Sequence, residues 1–181
     1  MKIGIFGSKY QKEKQSVIRR VFEKLKSLGA EIYPDSAFYK YICEEFDYHP
    51  DINDVITYSV DHIDLALSIG GDGTFLRTAA VIGSRNIPIL GINTGRLGFL
   101  ADISSNEIEE TLEEIFKNYY RIEERTLLCL KTEERRYRGY NCALNEVAVL
   151  KRDTSSMITI HTMLDDEYLT SYQADGLVIA T

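Results

Sequence analysis

Chemistry in this chain concentrates first in SIGGDGTF, Ser68 to Phe75. An apolar run enters a glycine-rich turn, and a helix pattern follows from Thr74. Gly70, Gly71 and Gly73 permit close approach of backbone amides to a ligand. The helix start at Thr74 adds the positive end of a dipole. Together Gly70, Gly71, Gly73 and Thr74 form a candidate phosphate cradle. Neither a GxxxxGK[ST] loop nor a GxGxxG fingerprint is present here. Asp72 is the anomaly, because a carboxylate repels phosphate. As a plain turn residue it would cap the helix. Beside phosphates it has two uses: accepting a proton from an attacking hydroxyl, or helping to hold Mg²⁺. Both suit phosphoryl transfer to an alcohol. Arg77, one turn into the helix, offers a fixed charge to a phosphate or to Asp72.

Three further stretches carry polar or glycine residues where a core would not need them. GINTGRLGFL (Gly91–Leu100) follows a second apolar run. Its Leu100 reads as a core plug. Leu97 and Phe99 read either as core or as the floor for a flat ring such as adenine. In ALNEVAVLK, Asn145 and Glu146 interrupt an apolar strand pattern. Neighbours in a strand face opposite sides, so one of the two must point inward unless the strand bulges. A buried polar group then needs a partner, which ribose hydroxyls would supply, or loop backbone if the pair caps a strand end. In QADGL, Asp175-Gly176 reads locally as a plain turn between strands.

The elements that must position these residues fall into two patterns. KIGIFG, AEIYP, DLALSIGG and IPILGIN are short apolar runs separated by helical stripes. One stripe runs Val17, Ile18, Val21, Phe22, Leu25, Leu28 and closes at Gly29. A second starts near Asp35 with Phe38, Tyr41 and Ile42. The acidic, tyrosine-rich run from Cys43 to Asp54 reads as a surface loop. A third helix, Thr74 to Ile82, ends at Gly83. A fourth carries Ile108, Leu112, Ile115 and Phe116 behind a Ser104/Glu107 capping box. This is an α/β arrangement, with a parallel sheet covered on both faces. Ligands in such sheets sit at the carboxyl ends of strands. From about residue 120 the pattern turns to strands: RTLLCLKT, CALNEVAVLK, MITIHTML, a turn at Asp165–Glu167, then YLTSYQADGLVIAT. The expected organisation is a 1–119 α/β domain and a 120–181 β-rich region. The latter is thin for a self-sufficient domain.

Composition narrows the function. The 181 residues are 44% hydrophobic and 27% charged, as in an ordinary globular protein. A net charge of −7 argues against general nucleic-acid or membrane-surface binding. No apolar run approaches a membrane span, and the start lacks a signal-peptide core. Cys43, Cys129 and Cys142 are scattered, with no CxxC or Cys/His cluster, so a structural zinc site is not expected. The set suits reduced cytoplasmic thiols rather than a disulfide framework.

GGDGT, NTGRLGFL, NE and ADGLVIAT, in this order and spacing, resemble the ATP-dependent NAD kinases over nearly the whole chain. GGDGT alone is shared with diacylglycerol and sphingosine kinases; the N-x-G-x-L-G-F-L element is far more specific. The resemblance implies an N-terminal parallel-sheet nucleotide-binding domain followed by the start of a β-rich C-terminal domain. It implies transfer of the ATP γ-phosphate to the adenosine-ribose 2′-hydroxyl of NAD⁺, with Mg²⁺ or another divalent cation accompanying ATP. Asp72 matches the catalytic acid that takes the hydroxyl proton. Asp72, Gly73, Arg77, Asn145, Glu146 and Asp175 match NAD-binding positions, and Phe99 matches an apolar residue near adenine. Dimers or tetramers are implied, with no nucleic-acid or membrane partner. Two departures stand out. Gln173 sits where many relatives carry a basic residue, and a P-T-G-S-T-A-Y segment would follow Thr181. The 181 residues alone are therefore expected to lack an intact active site. A diacylglycerol-type lipid kinase and a non-catalytic nucleotide-binding module are the alternatives.

Overall fold

A computed structural model describes residues 1–9, 14–95, 98–101, 103–132, 141–152 and 155–181. The chain divides into two compact units, Met1–Glu123 and Glu124–Thr181.

In the first unit, strands β1 (Lys2–Gly7), β2 (Glu31–Pro34), β3 (Leu65–Gly70) and β4 (Ile89–Asn93) form one sheet in the order β2-β1-β3-β4. Every pairing is parallel. The helices are α1 (Gln15–Ser27), α2 (Ser36–Phe46), α3 (Asp72–Ile82) and α4 (Ile108–Phe116). All six β3 residues are buried, which explains an apolar run with no polar alternation. Leu65, Leu67 and Ile69 point into a core with Val17, Ile18, Val21, Phe22 and Leu25 of α1, Phe38 and Ile42 of α2, and Ile108 and Leu112 of α4. Ala66 points the other way, into a smaller core with Phe6, Ile56, Val60, Ile63 and Ile82. The sheet is thus covered on both faces, as the apolar runs required.

Helix ends follow local chemistry. Asp35 Oδ1 accepts the Phe38 N–H at 2.9 Å and caps α2. Gly29 and Gly83 take positive φ just beyond α1 and α3. The expected capping box does not open α4: the helix starts at Ile108 without a side-chain cap, and Ser104 donates both its N–H and its hydroxyl to Glu107 in the turn before it. Arg20 and Lys24 of α1 pair with Glu109 and Glu113 of α4 and align the two helices. The expected loop from Cys43 begins later, because α2 continues to Phe46: Ile42 and Phe46 are both buried, and their spacing extends the stripe by one turn.

Among its described residues the second unit forms three two-stranded antiparallel ladders. They are β5 (Leu128–Cys129) with β6 (Cys142–Ala143), β7 (Glu146–Leu150) with β10 (Gly176–Ala180), and β8 (Ile158–Leu164) with β9 (Glu167–Ala174). Asp165 and Asp166 turn β8 into β9 with both φ values positive, as a tight hairpin needs. RTLLCLKT contributes only two strand residues. No described residue of this unit is buried, and Leu150, Met163, Leu164, Tyr168 and Val178 are exposed. The expectation of separate thiols is overturned for two of them. The β5–β6 register sets Cys129 opposite Cys142, Cα to Cα 4.0 Å, and they form a disulfide across 13 residues of sequence. Antiparallel pairing brought together what sequence distance kept apart; Cys43 is a free thiol.

Candidate active site

The strand order places a topological switch between β1 and β3, where ligands bind in open α/β sheets. β3 ends there at Gly70, and β4 ends beside it, with Gly70 opposite Asn93. The chain leaves β3 through Gly71, whose backbone is extended (φ −104°, ψ −170°), and α3 starts at Asp72. This start is two residues earlier than the pattern predicts. The Gly71 carbonyl accepts the N–H groups of Thr74 and Phe75 and closes the first turn. The amides of Asp72 and Gly73 have no intrahelical acceptor, as at every helix start. A Cβ on Gly71 or Gly73 would meet nothing within 4 Å, so space is open on this side of the turn.

Asp72 does not cap the helix; no side-chain cap bond forms at this end. Its carboxylate crosses to the loop after β4. Oδ2 accepts the Phe99 N–H at 2.9 Å. Oδ1 accepts the Leu100 N–H at 3.1 Å and the Ala101 N–H at 3.4 Å. The Phe99 bond, more than the other two, holds the carboxyl below its ordinary range, against the opposing effect of burial. Asp72 is therefore an ionised, oriented carboxylate at neutral pH.

Why the loop returns to Asp72 is visible in β4. Asn93 is buried, and its side chain accepts the Gly95 N–H at 2.8 Å and donates to the Ala101 carbonyl at 3.4 Å. It clamps both ends of the loop. Ile103 then bridges to Ile92, with its N–H on the Gly91 carbonyl. Gly91 permits this, since a Cβ there would lie 2.6 Å from the Ala101 Cα. Asn93, the first residue of the N-x-G-x-L-G-F-L element, is the residue that shapes this loop.

The site residues of the first unit gather at this corner. Thr74 is buried, Gly73 and Arg77 are exposed, and Arg77 Nη2 donates to Thr74 Oγ1 at 3.3 Å. Among the described residues Arg77 makes no ion pair with Asp72. Phe99 stands 92% exposed, so it is no core residue. Leu100 is only half-buried, against the expectation of a core plug, because its amide is turned to Asp72 and the loop runs over the surface. Leu97 lies outside the described residues.

In the second unit, Asn145 lies in a bend between β6 and β7, and Glu146 opens β7. The alternation argument does not apply, since Asn145 is outside the strand. Asn145 is half-buried and Glu146 is exposed. The Asn145 carbonyl accepts the Thr181 N–H at 3.0 Å. Asp175 is a turn between strands, as its local chemistry reads: it is the corner where the chain leaves the β8–β9 ladder for the β7–β10 ladder. Its carboxylate pairs with Lys151 Nζ at 2.6 Å, and its carbonyl accepts the Lys151 N–H. Because β10 runs antiparallel to β7, with Glu146 opposite Ala180 and Leu150 opposite Gly176, Asp175 lies at the far end of the ladder from Asn145 and Glu146. Asp175 faces Lys151, five residues beyond Glu146, which is about 17 Å at the usual strand rise.

A family profile for the ATP-NAD kinase N-terminal domain matches residues 3–120. The chain belongs to the NAD kinase family. It is 47% identical over 181 residues to an NAD kinase of Bacteroides fragilis, covering all of this chain and 62% of that protein. It is 44% identical over 180 residues to an NAD kinase of Porphyromonas gingivalis, covering 99% of this chain and 62% of that one. The chain therefore spans about 62% of the length of these relatives. Two solved structures share the fold. One is an NAD kinase from Archaeoglobus fulgidus in complex with ATP, with TM-score 0.71, 25% identity, and 99% and 60% of the two chains covered. The other is yeast NADH kinase complexed with NADH, with TM-score 0.75, 18% identity, and 99% and 57% covered.

Proposed function

We propose that the protein containing this chain phosphorylates the 2′-hydroxyl on the adenosine ribose of NAD⁺ with ATP, giving NADP⁺. The carrying observation is the Asp72 carboxylate, ionised and oriented at the start of α3 beside glycines that face open space. A carboxylate has about four lone-pair positions. Three accept the loop amides, two on Oδ1 and one on Oδ2. The remaining position is on Oδ2, and this atom takes the hydroxyl proton as the oxygen attacks the γ-phosphorus and the phosphorus–oxygen bond to ADP breaks. The unpaired amides at the α3 start favour the negative charge of the phosphates. Arg77, exposed nearby, adds a cation, and the bare face of Phe99 suits adenine. Asn145, Glu146 and Asp175 contact the dinucleotide; their separation along one ladder suits an elongated ligand. We further infer a cytoplasmic homo-oligomer, a dimer or tetramer.

A divalent cation accompanies ATP in this reading. Among the described residues no group of three His, Cys, Asp or Glu side chains is gathered that would hold one. Asp72, with three lone-pair positions taken by amides and the fourth facing the substrate hydroxyl, does not make a metal site with these neighbours.

The test is NADP⁺ formation from NAD⁺, ATP and Mg²⁺ by the full-length protein. No product from folded protein refutes the reading, and phosphorylation of a lipid alcohol without NAD⁺ turnover would move it to the lipid kinases. Asp72→Asn should lower kcat at least about 100-fold, the low end for loss of a general base. Wild-type kcat in that variant would remove Asp72 from the role.

A further inference from the structure

The glycines of this corner differ in what surrounds them. Gly71, Gly73 and Gly95 face open space. Gly98 does not. A Cβ built on it would lie 2.5 Å from Cγ and 2.6 Å from Oδ2 of Asp72, and nearer still to Oδ1. Its backbone is outside the left-handed region, so conformational freedom is not why glycine stands there. The space its side chain would occupy is filled by the carboxylate. We propose that Gly98 is a positioning residue for Asp72: its missing side chain leaves the one berth in which the carboxylate meets the amides of Phe99, Leu100 and Ala101.

Asp72 has a short side chain rooted in the first turn of α3. Loop residues on the other side are held by the Asn93 clamp and the Ile92–Ile103 bridge. When a methyl group enters at Gly98, the part that yields most readily is the carboxylate, by rotation. Rotation takes Oδ1 and Oδ2 off the three amides together. The oxygen left open for a substrate hydroxyl is then no longer aimed by the loop. Gly98 acts on the reaction only through Asp72; this functional part rests on the kinase reading above, while the packing part does not.

Two readouts separate those parts. The first is the amide resonances of Phe99, Leu100 and Ala101. In Gly98→Ala they should move toward their positions in Asp72→Gly, where no carboxylate remains. Resonances that stay at wild-type positions would overturn the proposal, whatever the enzyme does. The second is turnover. Gly98→Ala should lower kcat by about 100-fold, the scale of a misplaced reacting group. In the Asp72→Gly background the same substitution should change residual kcat less than about twofold, because groups acting as a unit are not additive. A full, multiplicative loss in that background would show that Gly98 acts elsewhere and overturn the proposal. If Gly98→Ala alone fails to fold, Asp72→Gly/Gly98→Ala should fold, since the clashing group is gone; failure of the double variant would equally overturn it. If the protein makes no NADP⁺ at all, the kinase reading falls and the resonances still decide the packing.

Discussion

Asp72→Asn should destabilise the first unit as well as remove a base, and the amount follows from the hydrogen bonds. In the wild type, Oδ2 accepts one amide and Oδ1 accepts two. An asparagine can keep its oxygen on Leu100 and Ala101. Its NH₂ group then faces the Phe99 N–H, donor against donor. The shortest of the three bonds is lost, and the others lose their ionic character. Hydrogen bonds to charged groups contribute about 1.5–3 kcal/mol; for this half-buried carboxylate about 2 kcal/mol is the reasonable figure. Unfolding entropy near 2.1 cal/mol/K per residue gives about 0.26 kcal/mol/K for the 123 residues of Met1–Glu123. The expected fall in Tm at pH 7 is therefore about 8 °C. The sign with pH is fixed by linkage: the folded carboxyl lies below its unfolded value, so its stabilisation is present above the unfolded value. It is lost as pH falls through the folded one. Wild type and variant should converge in strong acid. Thermal unfolding followed by circular dichroism from pH 7 downward measures both. Equal Tm values at pH 7, or a gap that persists unchanged in acid, would refute the assignment of the carboxylate to the loop.

Asp35→Ala should cost about 1 kcal/mol, the usual value of an N-cap, because the Phe38 N–H loses its acceptor; urea unfolding monitored on α2 would read it, and an unchanged midpoint would count against the cap. Reducing the Cys129–Cys142 disulfide opens a loop of 13 residues of separation, so the β5–β6 ladder should lose up to about 3 kcal/mol. Faster hydrogen exchange at the Leu130 amide, which bonds the Asn141 carbonyl, is the expected sign, and an unchanged rate would show that the ladder stands without the bridge.

Much of the α/β unit was legible because its determinants are local. A fully apolar β3, a 3.6-residue stripe on α1 and an aspartate before α2 each carry their structure within a few residues. What failed was non-local. The register that joins Cys129 to Cys142 depends on where two strands meet across an intervening segment, and no spacing rule reveals it. Asp175 reads as a turn between strands and is one, but nothing local tells that the strands on either side belong to different ladders. Asn145 was assigned to a strand by the apolar residues on either side; the break before β7 left no mark in composition. The hydrophobicity of Leu100 points inward, but its amide bonds Asp72 and the residue is only half-buried.

The acid in the glycine turn is where local and non-local reasoning part most usefully. Sequence supplies the glycines, the acid and the helix start, and so a phosphate cradle with a base. It does not supply the return of Phe99, Leu100 and Ala101 to that start. With the loop in place, the same carboxylate carries two demands. It must be ionised and fixed, which three amides achieve, and it must keep one lone pair free for a hydroxyl. Those demands conflict, because every amide that fixes the group also weakens it as a base. The geometry divides them between the oxygens: Oδ1 is saturated by Leu100 and Ala101, while Oδ2 meets Phe99 alone. Under the proposed kinase reading, Oδ2 keeps the lone pair that takes the proton although Phe99 also fixes it, and Gly98, proposed to leave room for the carboxylate, lies 26 residues along the chain from Asp72.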